Sequence, residues 1–192
     1  MLNTWLKPAL LATALISSST FAADYKIDPA HTAVLFKVNH LGFSETVVRF
    51  NALEGEYSYD AEKPAASRVS VTIDADSLDS NHEARDKHIK SPDFLDTKQY
   101  PEITFTSTHY QGSATQGVLT GELMLHGVTK TVSLDIIKIG EGLDPWKNYR
   151  SGFNGTATLK RSDFGIDQMQ GAIGDELKIE LFIEGIRSQG QP

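Results

Sequence analysis

Apolar and polar residues alternate with a period of two along most of this chain, the pattern of strands with one wet and one dry face. In the run from His31 to His40, Val34, Phe36 and Val38 share one side, Lys37 lies on the other, and Leu35 adds an apolar residue to that second face. Leu53, Gly55, Tyr57 and Tyr59 form the next stripe, opposed by Glu54, Glu56 and Ser58. Val69, Val71, Ile73 and Ala75 alternate with Ser70, Thr72 and Asp74. The second half repeats the pattern with Ile103 and Phe105; Leu119, Gly121, Leu123 and Leu125; Val132, Leu134 and Ile136; Phe153, Gly155, Ala157 and Leu159; and Leu177, Ile179, Leu181 and Ile183. These runs predict eight long strands, with a further short one at Tyr25 to Ile27. No long amphipathic helix links them, which argues against a βαβ fold.

Two segments break the rhythm: Leu41 to Val48, and an insert from Ser77 to Tyr100. In the insert, Ser80 with Glu83 three positions on predicts a capped helix running to about Lys90, stopped by Pro92. Phe94, Leu95 and Tyr100 are expected to tuck inward from an ordered loop. Ser113–Gly117 and Gly140–Lys147 read as loops, and His126-Gly127 as a tight turn. Eight antiparallel strands must protect their edges by closing into a barrel or splitting into two sheets, and periodicity leaves both open. Gly55, Gly121, Gly155 and Ala157 fall on the dry faces. Small residues there either keep a channel open along a barrel axis or sit under large neighbours.

The first residues change the picture. Lys7, an apolar run from Pro8 to Ile16, and small Thr20 and Ala22 follow the plan of a secretory signal peptide, residues 1–22, cut after Ala22. The apolar run is too short to span a bilayer. Removing 22 of 192 residues leaves 170, residues 23–192, expected to form a single domain, and loss of Lys7 takes the formal charge from −7 to −8. That acidity argues against nucleic acid as a partner. With no cysteine, disulfides and thiol chemistry are excluded, so the exported domain must be held by its own core.

The polar residues of the insert are the candidates for chemistry. His82, Asp86 and His88, with His40, His109 or His126 from elsewhere, match no tight metal-ligand spacing. Ser44, Ser77, Ser80 and Ser91 lie near histidines but in no nucleophile-elbow motif. The expectation is therefore no metal and no catalytic residue, with Arg85 pairing Asp86 or Asp93 to pin the insert across a barrel mouth. The alternative is a lipid-modifying or metal-assisted hydrolase using the insert histidines and Asp86.

Five blocks in order carry a family resemblance from Tyr25 to about Gly185. They are YKIDPAHTAVLFKVNHLGFS, with Asp28, His31, Phe36, His40, Leu41 and Gly42; the Arg49-Phe50 pair; the insert, with Asn81, Arg85, Asp86, His88, Ser91, Pro92, Phe94, Tyr100, Pro101, Ile103 and Phe105; LTGELMLHGVTKTV; and RSDFGI. Together they resemble the YceI-like family of periplasmic, lipocalin-like polyisoprenoid-binding proteins. Val48 stands where the family often has Gly, and Thr131 where Pro is frequent. The resemblance implies an all-β, eight-stranded antiparallel lipocalin-like barrel with a short helical insert near one mouth. It also implies an elongated apolar cavity that binds, sequesters or transports a long-chain isoprenoid, an isoprenoid quinone or a similar amphiphilic lipid, with no chemistry on the ligand and no required cofactor. A periplasmic monomer or homodimer, transient contact with inner-membrane respiratory proteins, and a link to stress response in some relatives complete the expectation. On this reading Phe36, Val38, Val71, Ile73, Phe105, Leu123, Leu134, Ile179 and Leu181 form the wall. Leu41, Phe43, Ile89, Phe94 and Phe164 form the mouth or lid, and His40, Arg49, Asn81, Arg85 and His88 order the lid or meet a polar head.

Overall fold

The computed structural model describes residues 22–188, so the expected leader lies outside the described residues apart from Ala22. Strands β1 (Ala23–Ile27), β2 (Ala33–His40), β3 (Ser44–Phe50), β4 (Leu53–Tyr59), β5 (Arg68–Asp74), β6 (Leu78–Asp79), β7 (Glu102–Gly112), β8 (Gln116–Leu125), β9 (Val128–Leu143), β10 (Tyr149–Lys160) and β11 (Ile173–Arg187) join in one antiparallel sheet. Three pairs of these are single staves with a kink. A 3-10 turn at Pro29–His31 separates β1 from β2, Asn51 and Ala52 separate β3 from β4, and a 3-10 turn at Ala75–Ser77 separates β5 from β6. Tyr25 pairs with Arg187 and Phe36 with Ile179, so β11 is zipped along its length by β1 and β2 in turn. The sheet thereby closes as an eight-stave antiparallel barrel in up-and-down order. Closure removes the free edges that the alternating strands would otherwise expose.

The kinks and turns have local causes. The Asp28 carboxylate accepts a hydrogen bond from the Ala30 N–H at 3.1 Å, and Pro29 supplies a φ already suited to the first turn. His126 and Gly127 both take positive φ, 52° and 73°, the geometry of a two-residue hairpin turn whose twist matches its strands.

Several boundaries differ from the sequence expectation. Leu41 to Val48 is no interruption: a turn at Leu41–Phe43 leads into β3, where Val48 and Phe50 are buried. Adjacent Val47 and Val48 blur the alternation there, and pairing with β2 decides which one faces in. Gly140–Leu143 continues β9 because it pairs with the start of β10. The helix α1 spans Glu83–Ile89 and is capped by His82, whose ring accepts from the Arg85 N–H at 3.2 Å. Ser80 is not the cap. Its N–H, at 2.8 Å, and its hydroxyl both donate to the Asp86 carboxylate. Arg85 donates to the Ser80 hydroxyl at 2.7 Å and to the Ser80 carbonyl at 2.6 Å, not to Asp86 or Asp93 as the sequence suggests.

The insert and the β10–β11 connection close one end of the barrel. Leu78, Leu95, Ile103, Leu125, Phe164 and Ile166 bury together there with Val48 and Phe50. Arg161, itself buried, donates to the carbonyls of Gly174 at 2.9 Å, Ile166 at 2.8 Å and Ile173 at 3.1 Å, fixing that floor. At the other end Tyr25 stacks on Tyr57 with ring centroids 4.9 Å apart.

Candidate functional site

The inward stripes of the staves surround a cavity of about 230 Å³. Phe36 of β2, Val71 and Ile73 of β5, Phe105 of β7, Leu123 of β8, Leu134 of β9, and Ile179 and Leu181 of β11 all line it. Val38 is buried but is not part of the lining. The wall also includes Ile27, Val34, Val69, Leu119, Val132, Ile136, Phe153, Leu177 and Ile183. This void exceeds the roughly 150 Å³ apolar cavity that stays dry and accepts benzene in an engineered protein interior.

The small residues on the dry faces do not hold the channel open. A Cβ on Gly121 would meet the Phe105 ring and the Thr106 carbonyl oxygen at 2.5 Å. One on Gly155 would lie 2.9 Å from Ile136 and 3.1 Å from Leu181. These glycines let large neighbours fold over them, and none lines the cavity.

None of the residues expected at the mouth or lid lines the cavity. Phe43 is 87% exposed, and Leu41 is exposed beside it at the tip of the β2–β3 turn. His40, Arg49, Asn81, Arg85 and His88 are all exposed. His88 bonds Asp93 at 3.1 Å and packs edge-on against Phe94. Ile89 and Phe94 pack under the insert against the floor cluster, and Phe164 is 2% exposed within it. The insert reaches the cavity through Leu95 alone among these segments, so it acts as a greasy plug.

The polar part of the lining lies at the opposite end of the barrel, away from the polar residues of the insert. Tyr59, Ser67, Tyr110, Thr115 and Lys138 meet there. The Lys138 ammonium donates to Glu141 at 2.8 Å and to the Tyr59 hydroxyl at 3.1 Å, and lies 4.3 Å from the Tyr59 ring centre. Tyr59 donates onward to the Ala114 carbonyl at 2.8 Å, and Tyr110 to the Ser113 carbonyl at 2.7 Å, so the β7–β8 loop is tied down over this end. Burial alone would lower the Lys138 pKa, but the bonds to Glu141 and Tyr59 outweigh it and hold the ammonium charged. Burial pushes the Tyr110 hydroxyl up. One signal for Lys138 was in the chain: it extends the inward run Val132, Leu134, Ile136 by one more alternation, a cation where the pattern calls for an apolar residue.

A second polar cluster lies on the β1–β2 kink. Asp28, His31 and Glu184 bring ligand atoms within 4.8 Å of one another. Arg150 reaches into that group, donating to Asp28 at 2.7 Å and Glu184 at 2.6 Å, and also to Asp144 at 2.7 Å. Its guanidinium supplies the positive charge these carboxylates need. Asp28 is held down to about 2 by bonds from Arg150 and His31. Asp144 is also held to about 2; burial opposes the shift, and bonds from Arg150 and Asn148 overcome it.

A family model described as YceI-like domain matches residues 25–185. The chain belongs to the YceI-like family. A UPF0312 protein of Shewanella baltica is 45% identical over 183 residues, covering 93% of this YceI-like chain and 96% of its own length. Among solved structures, Burkholderia cenocepacia BcnA superposes with a TM-score of 0.76 at 23% identity, over 82% of this chain and 98% of that one. A polyisoprenoid binding domain from Saccharophagus degradans superposes with a TM-score of 0.64 at 14% identity, over 88% of this chain and 100% of that one. At these identities the two structures share the barrel fold with it.

Proposed function

We propose that this YceI-like barrel binds a long-chain isoprenoid or quinone-like lipid in its cavity and sequesters or carries it, without chemistry on the ligand. The observation that carries the reading is the cavity itself: an apolar void enclosed by closed staves and floored by the insert. Each buried methylene of a tail contributes about 0.8 kcal/mol of transfer free energy, before ordering costs reduce the total. A prenyl tail therefore has enough apolar surface to bind with few polar contacts. The Saccharophagus degradans domain of the same fold, a polyisoprenoid binding domain, supports the same class of ligand. The hydrolase alternative has less support, because His82, Asp86 and His88 are placed outside the lining and are engaged with the insert's own residues. The leader-like start supports export and a periplasmic place of work.

The test is native mass spectrometry of the protein isolated from its own compartment, then extraction and identification of any bound molecule, and titration with added polyprenyl compounds. A one-to-one complex is expected, with unfolding stability raised by about 2.7 kcal/mol at ligand a hundredfold above Kd. Ile179→Trp, which fills the void from β11, is expected to remain folded and to lose uptake. A protein that takes up no prenyl lipid under any of these conditions would end the proposal, as would turnover of the ligand.

A further inference from the structure

The cavity has two unlike ends. At the floor every lining group is a hydrocarbon, from Leu95, Leu125 and Leu159 to Ile166. At the far end the lining carries hydroxyls and one ammonium. Resting on the reading that the cavity holds a lipid, we infer that Lys138, with Ser67, forms a head site for a single uncharged oxygen-bearing group, a carbonyl or hydroxyl, and that the tail runs from there toward the insert.

Donor accounting supports the site. An ammonium has three N–H donors and no acceptor. Lys138 spends one on Glu141 and one on Tyr59. Tyr59 in turn spends its own proton on Ala114. The third Lys138 donor is left for the cavity. The Ser67 hydroxyl, which lines the same cavity, is buried with no hydrogen-bond partner. Buried polar groups are costly when unsatisfied, so two unspent donors on a largely apolar lining mark a place where an acceptor belongs. The Lys138 side chain is only 11% exposed, so bulk water serves it poorly.

Charge decides the class of head. Among the described residues Lys138 is the one charged residue in the lining, and Glu141 already neutralises it. A phosphate or diphosphate would bring further negative charge beside Glu141 with no second cation in the lining to meet it. An uncompensated charge at a partly buried site is strongly unfavourable. A neutral carbonyl or hydroxyl oxygen takes the two free donors without disturbing the Lys138–Glu141 pair. The Arg150 cluster on the β1–β2 kink cannot serve the head, because its guanidinium is committed to Asp28, Asp144 and Glu184.

The experiment compares four ligands of matched tail length on the full mature protein: a linear isoprenoid hydrocarbon, a polyprenol, a polyprenyl benzoquinone and a polyprenyl phosphate. Wild type is expected to bind the polyprenol or the quinone about tenfold or more tighter than the hydrocarbon, and the phosphate no better than the hydrocarbon. Lys138→Met is expected to abolish most of that preference while keeping hydrocarbon affinity. Ser67→Ala, which leaves the Lys138–Glu141 pair intact, is expected to reduce the preference by itself and covers the case in which the lysine variant folds poorly. Lys178→Met, an exposed lysine paired with Glu45 outside the lining, is the control and should change nothing. The inference is overturned if the phosphate binds tightest, or if the head preference survives both the Lys138 and Ser67 changes. In those outcomes tail binding persists and the carrier reading stands. If wild type binds none of the four, both fall together.

Discussion

Gly121 shows how a residue with no side chain shapes the cavity. The Phe105 ring lies where its Cβ would be, and the Thr106 carbonyl oxygen crowds the same point at 2.5 Å. The ring can fold over the strand without displacing its backbone, and an aromatic enters the wall in a compact conformation. Gly121→Val is therefore expected to destabilise the barrel by about 1–3 kcal/mol, read from chemical unfolding, because the backbone oxygen cannot yield as a flexible side chain would. Lys138 is the opposite case, a long polar side chain on an inward position. Alternation identified its neighbours Leu134 and Ile136 as inward, but a lysine at the end of such a run reads equally well as the strand's exit to solvent. Its partners Tyr59 and Glu141 lie 79 residues before it and 3 after it, and the first of those is brought near only by barrel closure.

At the scale of elements, the β1–β2 kink is held by charge. Arg150 on β10 clamps Asp28 at the kink, Glu184 on β11 and Asp144 in the β9–β10 turn. Asp144 also accepts backbone bonds from Trp146 at 2.9 Å and Asn148 at 2.8 Å, so one carboxylate shapes its own turn and anchors the arginine. Asp28 and Asp144 are depressed from the ordinary value of 3.8 to about 2. A carboxylate depressed on folding contributes stability that is fully present above its unfolded value and lost as pH falls through its folded one. The thermal midpoint is accordingly expected to fall between about pH 4 and pH 2. Arg150→Met should lower it at neutral pH and flatten the dependence in that window. Some slope will survive through Asp175, lowered by its bonds from the Ser162 N–H and hydroxyl, the same sign of effect. A midpoint unchanged from pH 4 to pH 2 in the native chain would show that the clamp contributes nothing.

For the whole molecule, the division into a sealed floor and a polar far end follows from which connections are long. The insert and the β10–β11 connection are both at the floor, and both contribute bulky apolar residues to one cluster. Arg161 holds that floor by spending its donors on three carbonyls. Arg161→Met keeps the apolar stem but strands those acceptors. A loss of about 2–3 kcal/mol is expected, with faster amide exchange across residues 161–173 and easier entry of apolar dyes from that end. A lipid held head-outward would slow exchange at the far end instead, so the two ends can be read separately in one measurement.

Period-two alternation with dry faces determined the staves, because the side-chain period of a strand does not depend on what it packs against. Phe36, Val71, Ile73, Phe105, Leu123, Leu134, Ile179 and Leu181 could be assigned to one inward surface from the chain alone. The motif blocks, in their order, pointed to the family and through it to a closed barrel, which alternation by itself left open against a pair of sheets. What the chain could not reveal was which end of the barrel is polar. Histidines, Arg85 and Asp86 are dense in the insert, and local density suggested a head site there. In the fold those groups satisfy one another around α1 and present only Leu95 to the void. The polar end is built from Tyr59, Ser67, Thr115 and Lys138, which come from four separate segments. Hydrogen-bond satisfaction is a property of distances between segments, and only the closed sheet sets those distances.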